Sequence, residues 1–142
     1  MGRDDLFISI NISPKDFYFM DVGEELKKIV NEVGIPASRL RVEITETIMI
    51  EDNADRFETL RELQKAGFVV EMDDFWSGYS SLNMLKNMPV DIIKIDMMFV
   101  NDMKEVSRTT TILRNVINMM TELGLVPLTE GIETREQYEL LS

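Results

Sequence analysis

The apolar and polar positions of this chain follow two alternating patterns. Short, largely apolar runs are typical of buried strands, and between them apolar residues recur at the three- and four-residue spacing of amphipathic helices. The pattern predicts five strands, at residues 6–13, 41–46, 68–75, 91–96 and 125–133. Strands that alternate with helices favour an α/β fold with a parallel sheet.

Three long helices are predicted between the strands, each with one apolar stripe that faces the sheet. Each stripe is followed by a glycine (Gly34, Gly67 or Gly124), the residue preferred just after a helix. The stripes comprise Val22, Leu26, Ile29, Val30 and Val33; Phe57, Leu60 and Leu63; and Ile112, Val116, Met119, Met120 and Leu123. A short helix is predicted at residues 82–88 and another from Thr134. Five such units suit an open doubly wound sheet or part of an eight-unit barrel, and the pattern alone does not choose between them.

Composition narrows the possible chemistry. The 142 residues include no His and no Cys. This excludes a Ser-His-Asp triad, a thiol nucleophile and an ordinary zinc site. A bound metal would need oxygen ligands, which favours Mg²⁺, Mn²⁺ or Ca²⁺.

The charge balance narrows the possible partners. The formal net charge is −11. It argues against binding of DNA or RNA polymers, which needs a basic face, but leaves room for a small phosphate ligand that a divalent cation bridges. With no signal-peptide pattern and no apolar run of membrane-spanning length, we expect a cytoplasmic protein whose sequence makes no membrane contact.

Polar residues that carry chemistry stand at or near the end of every predicted strand. The carboxyl ends of the strands in α/β sheets and barrels converge on the ligand-binding face, so these residues are expected to meet in space. They are Asn11, Glu43, Glu46, Asp73, Asp74, Lys94, Asp96, Glu130 and Glu133.

Clustered carboxylates repel one another unless a cation neutralises them or they take up protons. One or two divalent metals would explain the cluster, with Asn11 as a neutral ligand and adjacent Asp73 and Asp74 bridging two ions. Paired metals suit phosphodiester hydrolysis. Lys94 could orient a water or bind a phosphate oxygen. The structural alternatives remain open: each acid could be a solvated loop residue, Lys94 a salt-bridge partner and Asn11 a turn or cap residue.

Five segments carry a resemblance to a known family. INISPKDF, EITET, EMDDFWSGYSSL, VDIIKID and TEGIET occur in the order and spacing found in EAL domains, the bacterial phosphodiesterases that hydrolyse cyclic di-GMP. The resemblance implies a TIM-type (β/α) barrel, of which this chain supplies about five units. It also implies hydrolysis of cyclic di-GMP to linear pGpG by two-metal activation of water, with Mg²⁺ or Mn²⁺ as the cofactor.

The resemblance also implies roles for individual residues. Asp73 looks like a ligand shared by two metals, Lys94 like the lysine that contacts the attacking water, and Glu46 like the acid that steadies the DDF loop. Glu133 would line the site after the fifth strand. The implied metal ligands are Asn11, Glu43, Asp73, Asp74 and Glu130, and the implied catalytic residues are Lys94, Glu130 and Asp74.

Three departures from the family pattern qualify these expectations. The Glu-Ala-Leu segment is absent, the closing strand beyond Ser142 is absent, and Trp76 stands where a glycine is usual. We therefore expect residues 1–142 to be the middle and C-terminal part of an EAL domain, inactive on its own. Its exposed strand edges predict a homodimer or intertwined oligomer, and the parent protein could carry GGDEF or sensory domains.

Two alternative functions stay open. One is a non-catalytic EAL module that acts as a cyclic di-GMP receptor or a protein-interaction domain. The other is an unrelated open-sheet α/β protein, the interpretation that periodicity would support without the motifs.

Overall fold

Five parallel strands form one sheet in the order β1-β2-β3-β4-β5. The computed structural model describes residues 6–50, 54–75, 85–95 and 108–141. The strands are β1 (Ile8–Ile12), β2 (Leu40–Thr45), β3 (Val69–Phe75), β4 (Ile92–Ile95) and β5 (Val126–Thr129). The predicted α/β class and parallel pairing are confirmed. The fifth strand ends at Thr129, so the prediction of a strand through residue 133 was wrong. Gly131 has φ 70°, a left-handed conformation that an extended strand does not adopt.

Helices connect the strands. They are α1 (Asp16–Phe19), α2 (Val22–Val33), α3 (Thr47–Ile50), α4 (Ala54–Lys65), α5 (Arg108–Glu122) and α6 (Arg135–Leu141), with a 3-10 turn at Ala37–Arg39. The short helices α1 and α3 were not predicted. Residues 82–84 of the helix predicted at residues 82–88 lie outside the described residues, and of the described remainder only Leu85 is helical. Within the described part of the chain, no helix has the length and apolarity needed to cross a membrane.

The boundaries of α2 follow from local chemistry. The Asp21 carboxylate accepts a hydrogen bond from the Glu24 backbone N–H at 3.0 Å and so caps the first turn. Gly34 follows the last turn with φ 73°, and its N–H donates to the Val30 carbonyl at 2.9 Å. Glycine adopts this left-handed conformation without steric penalty, so the predicted helix end is confirmed.

The core lies between one face of the sheet and the long helices. On β2 and β3 the side chains of Val42, Ile44, Val70 and Met72 are fully buried. They alternate with side chains on the opposite face of the sheet, as the two-residue period of a strand requires. The buried helix residues that meet this face include Val22, Leu26 and Val30 of α2; Leu60 and Leu63 of α4; and Leu113, Val116 and Met120 of α5.

Four predicted core residues are exposed instead. Ile112 and Leu123 are 50% and 51% exposed. Ile112 lies about 100° around the axis of α5 from buried Leu113, and Leu123 follows the last residue of the helix. Ile29 and Val33 are 44% and 66% exposed. They share a flank of α2 that no described residue covers, since α2 packs on α4 and the sheet through its other apolar residues.

Asp91 fixes the starting points of three strands. Its carboxylate accepts hydrogen bonds from the Val70 N–H at 2.8 Å and from Gln64 Nε2 at 2.9 Å. Its backbone N–H donates to the Val70 carbonyl, and its carbonyl accepts from the Val126 N–H, each at 2.9 Å. The relative heights of β3, β4 and β5 therefore depend on one residue, and with them the heights of the polar residues at the strand ends.

Candidate functional site

Lys94 lies at the centre of a cluster of carboxylates at the strand ends. Its Nζ is 3.1 Å from Glu43 Oε1, 3.4 Å from Asp73 Oδ1 and 2.8 Å from Glu130 Oε1. These groups come from β2, β3 and the residue directly after β5, and Lys94 itself comes from β4. The predicted convergence of distant strand ends is therefore observed for four of the predicted site residues.

Strand alternation explains why these side chains share one face. On β2, Glu43 alternates with buried Val42 and Ile44, which face the helices. Thr45 on β2 is the register partner of Asp73 on β3, which places Asp73 on the same face as Glu43. Burial of charged side chains is costly unless they are paired, so the acids on this face need cationic or hydrogen-bonding partners.

A bulge in β3 aims Asp73 and Asp74 differently from the rest of the strand. The register with β4 shifts between Met72 and Phe75. Asp74 has φ 55°, and its N–H donates to Asp73 Oδ1 at 3.0 Å. Left-handed backbone is uncommon for residues other than glycine, although aspartate is among those that tolerate it. The bulge leaves Asp73 half-buried in the Lys94 cluster and Asp74 exposed beside it.

The pKa values of Glu43 and Asp73 are shifted in opposite directions. Burial raises the pKa of Glu43, and its hydrogen bond with Asp73 raises it further, against the opposing effect of Lys94. Burial also acts to raise the pKa of Asp73, but the hydrogen bonds from Glu43 and from the Asp74 N–H, together with Lys94, lower it overall. The pKa of Glu43 therefore lies above its ordinary value and the pKa of Asp73 below its own.

Lys94 stays protonated in this setting. Burial acts to lower its pKa, but hydrogen bonds to Glu130 and Glu43 and the charges of Asp73 and Glu43 outweigh that effect and hold the pKa above its ordinary value. The cluster is thus an ammonium group held by three carboxyl groups.

The other predicted site residues lie at varying distances from this cluster. Asn11 is exposed and is the register partner of Glu43 on the neighbouring strand, so it adjoins the site. Glu46 is buried just after β2, with 3% of its surface exposed. Glu133 is exposed in the loop after β5, where its N–H donates to Gln137 Oε1 at 2.8 Å. Trp76 and Asp96 lie outside the described residues.

The donor set fits a hard divalent cation. All the groups around Lys94 are carboxylate oxygens, Asn11 can add an amide oxygen, and one ammonium group faces three acids. Among the described residues, however, no three acidic side chains surround a common metal position. The three carboxyl groups are paired with Lys94 instead, so a metal would bind only after some of these ion pairs rearrange.

Sequence reasoning missed three residues on the same face of the sheet. Glu71 is 2% exposed; it accepts a hydrogen bond from Ser9 Oγ at 3.0 Å and forms an ion pair with Arg41 Nη1 at 2.5 Å. Arg41 also stacks on the Phe7 ring, 3.2 Å from its centroid. The signal was available in the sequence: polar residues at 41, 43 and 45 and at 71 and 73 alternate with apolar ones.

Comparison with known proteins identifies relatives for this arrangement. The family model described as "EAL domain" matches residues 1–142. Cyclic di-GMP phosphodiesterase RocR of Pseudomonas aeruginosa is 34% identical over 130 residues, which are 92% of this chain and 33% of RocR. Across curated relatives such as RocR and the y4lL protein of Sinorhizobium fredii, the chain spans between 16% and 33% of the relative's length.

Solved structures show the same fold. The EAL enzyme Bd1971, in a form with cAMP and cyclic di-GMP bound, matches with a TM-score of 0.89 and 29% identity over 97% of this chain and 36% of that chain. Klebsiella pneumoniae BlrP1, in a manganese and cyclic di-GMP complex, matches with a TM-score of 0.83 and 31% identity over 95% of this chain and 35% of that one. BlrP1 has also been solved with calcium and cyclic di-GMP. The five-stranded sheet thus corresponds to part of a larger TIM-type barrel.

Proposed function

The chain belongs to the EAL domain family, and from this we propose that it is part of a phosphodiesterase that hydrolyses cyclic di-GMP to linear pGpG. The observation that carries the proposal is the convergence of Glu43, Asp73 and Glu130 on Lys94. The family relationship supports it, since RocR is named a cyclic di-GMP phosphodiesterase and BlrP1 is solved with that nucleotide and a divalent metal.

The proposed cofactor is a pair of Mg²⁺ or Mn²⁺ ions. The residues that would hold them are Asn11, Glu43, Asp73, Asp74 and Glu130. Bound metals of this kind lower the pKa of water and offset the negative charge that develops on phosphorus-bound oxygens. The bulge at Asp73 and Asp74 suits this role, because it presents two consecutive carboxyl groups at the same strand end.

Lys94 is the proposed residue for positioning the nucleophile. Its ammonium group is protonated and only 13% exposed, so it can donate hydrogen bonds to a water or to a phosphate oxygen with little competition from solvent. With Asp74 and Glu130, it completes the proposed catalytic set. Glu46 and Trp76 would steady the loop after Asp74, and Glu133 would line the site beyond β5.

The proposal concerns a longer protein as well as this chain. The chain contains no Glu-Ala-Leu segment, so we propose that residues 1–142 alone are inactive or nearly so. We further propose that residues 1–142 form a homodimer or intertwined oligomer, that the parent protein is cytoplasmic, and that it could carry GGDEF or sensory domains.

Nucleotide hydrolysis tests the proposal directly. The full-length protein and the 142-residue chain are each incubated with cyclic di-GMP and Mn²⁺, with and without EDTA, and pGpG is measured by chromatography. We expect EDTA-sensitive product from the full-length protein and little or none from the chain. Absence of product from the full-length protein would contradict the proposed activity, and robust turnover by the chain would contradict its proposed inactivity.

A second function, a non-catalytic cyclic di-GMP receptor, has one observation in its favour. The carboxylates close on Lys94, and the acidic side chains of the described residues form no ready-made metal position. Calorimetry would separate the two functions: tight, metal-independent binding of cyclic di-GMP without hydrolysis by the full-length protein would favour the receptor.

A further inference from the structure

A hydrogen-bonded layer of three polar residues lies on the same face of the sheet as three of the proposed metal ligands and next to them. Ser9, Arg41 and Glu71 stand on β1, β2 and β3. Each precedes a proposed ligand by two positions on its own strand, which puts it on the same face about 6.6 Å earlier along that strand, at 3.3 Å per residue. Across the sheet, Glu71 is level with Glu43. The pairs are Ser9 with Asn11, Arg41 with Glu43, and Glu71 with Asp73.

Glu71 joins the three strands through its two oxygens. Oε1 forms the 2.5 Å ion pair with Arg41, and Oε2 accepts the 3.0 Å hydrogen bond from Ser9. The carboxylate is therefore bonded to the neighbouring strand β2 and to β1, the strand beyond it. Sliding of either strand relative to β3 would break one of these bonds, so the layer holds the three strands in register next to the ligands.

The layer also places one negative and one positive charge next to the proposed metal site. Glu71 is the register partner of Glu43, and it is 2% exposed. A buried carboxylate beside other acids is unfavourable without a cation, and Arg41 supplies one. Among the described residues, the ion-pair partners of Lys94 are Glu43, Asp73 and Glu130, and Glu71 is not one of them. Its charge nevertheless acts on a cation bound there, because Glu71 is itself buried and adjoins the proposed ligand Glu43 in the register, and water screens a buried charge less than an exposed one.

We propose that Ser9, Arg41 and Glu71 form a positioning layer that tunes divalent cation binding next to it. Arg41 and Glu71 then influence the cation with opposite sign: Glu71 attracts it and Arg41 offsets that attraction. A layer that only stabilised the fold would not produce opposite effects. The inference rests on the proposed metal site and on no step of hydrolysis.

Mn²⁺ affinity, measured by calorimetry on the full-length protein, tests the opposite signs. Glu71→Gln should weaken Mn²⁺ binding roughly tenfold, in the range typical of groups that support metal ligands. Arg41→Gln should bind Mn²⁺ at least as tightly as the wild type. The double variant Arg41→Gln/Glu71→Gln, which restores the charge balance, should return to within about threefold of the wild type.

Matched controls come from a remote ion pair. Glu24 and Lys27 form a 3.0 Å pair on the exposed side of α2, so Glu24→Gln and Lys27→Gln should leave Mn²⁺ affinity unchanged. Thermal unfolding identifies any variant that fails to fold. If Arg41→Gln is such a variant, Arg41→Met replaces it, alone and in the double variant, because it also removes the charge and keeps an unbranched side chain beside Phe7.

Three results would overturn the inference: a double variant as weak as Glu71→Gln, unchanged affinity in Glu71→Gln, or no Mn²⁺ binding by the wild type. Formation of pGpG by the same full-length protein is measured separately. Mn²⁺ binding with the expected order of variants but without pGpG formation would contradict the proposed activity and leave the positioning layer supported.

Discussion

Glu43 and Glu71 are register partners on adjacent strands, and each carboxylate is paired with a different cation. Glu43 is 3.1 Å from Lys94 of β4, and Glu71 is 2.5 Å from Arg41 of β2. Two acids at neighbouring positions would repel each other in a buried setting, and the two separate ion pairs remove that conflict. The polar face of the sheet therefore carries two neighbouring ion-pair groups, one around Lys94 and one formed by Arg41 and Glu71.

Removal of the central ammonium group should destabilise the metal-free protein. Lys94→Met leaves three carboxyl groups without their shared cation, and breaking such a buried cluster is expected to lower the free energy of unfolding by about 3 kcal/mol. Urea denaturation measures the change. Lys27→Met, which removes an exposed lysine, is the matched control and should change stability by less than about 0.5 kcal/mol. Equal effects of the two substitutions would contradict a structural role for the Lys94 cluster.

Asp91 should contribute more to the free energy of unfolding than its side-chain partner Gln64. Asp91→Ala removes the acceptor of the Val70 N–H and of Gln64 Nε2, so we expect the free energy of unfolding to fall by about 2 kcal/mol. Gln64→Ala removes one of these bonds and should lower it by about 1 kcal/mol. Urea denaturation of both variants gives the comparison. A larger loss in Gln64→Ala than in Asp91→Ala would show that the carboxylate does not anchor β3 as described.

The left-handed backbone at Asp74 should affect stability independently of the charge of its side chain. Both Asp74→Gly and Asp74→Ala remove the carboxylate, but only glycine accepts φ 55° without strain. We expect the alanine variant to be less stable than the glycine variant by about 1 kcal/mol, and thermal unfolding can measure this difference. The opposite order would indicate that residue 74 does not hold this conformation in solution.

Mn²⁺ binding should weaken as the pH falls. The pKa of Glu43 is raised above its ordinary value of 4.5, so its carboxyl group takes up a proton at a higher pH than a free glutamate does. The proton competes with the cation, and affinity should begin to fall while the pH is still above 4.5. Calorimetry in buffers of different ionisation enthalpy would count the protons released on binding. Constant affinity between pH 7 and pH 4.5, with no proton release, would exclude Glu43 as a ligand.

The pH dependence of folding should contain two opposite contributions from the same cluster. Glu43, whose pKa is raised in the folded state, adds stability that is fully present below pH 4.5 and is lost as the pH rises through its folded pKa. Asp73, whose pKa is lowered, adds stability that is present above its ordinary value of 3.8 and is lost as the pH falls through its folded pKa. Urea denaturation of Asp73→Asn against the wild type should show the acid-side loss diminished in the variant.

Much of the fold was predictable because each strand is a short apolar run that can be recognised from its own residues. The apolar runs around Val42, Val70 and Ile93 identify buried strands, and the strand-end rule then brings Glu43, Asp73 and Lys94 together. The exposed positions of Ile29 and Val33 could not be predicted in this way. Their periodicity matches the buried stripe of α2, and only the packing of neighbouring elements shows that this flank is uncovered.

Features that depend on inter-strand register were beyond the sequence pattern. The pairing of Arg41 with Glu71 requires knowing which residues of β2 and β3 lie side by side, and neither strand contains that information alone. The left-handed conformation of Asp74 likewise arises from a bulge between β3 and β4. The ion pairing of the three carboxyl groups with Lys94 depends on side-chain conformations, which cannot be deduced from the spacing of residues in the sequence.

Formation of pGpG by the full-length protein and two aspartate variants tests the central claim most directly. Asp73→Asn removes a carboxylate from the Lys94 cluster, whereas Asp16→Asn removes an exposed one that accepts hydrogen bonds from Ser13. With Mn²⁺ and cyclic di-GMP, we predict that Asp73→Asn loses at least about a hundredfold in kcat/KM while Asp16→Asn stays within about twofold of the wild type. Equal activity of Asp73→Asn and the wild type would contradict the assignment of this cluster as the catalytic centre.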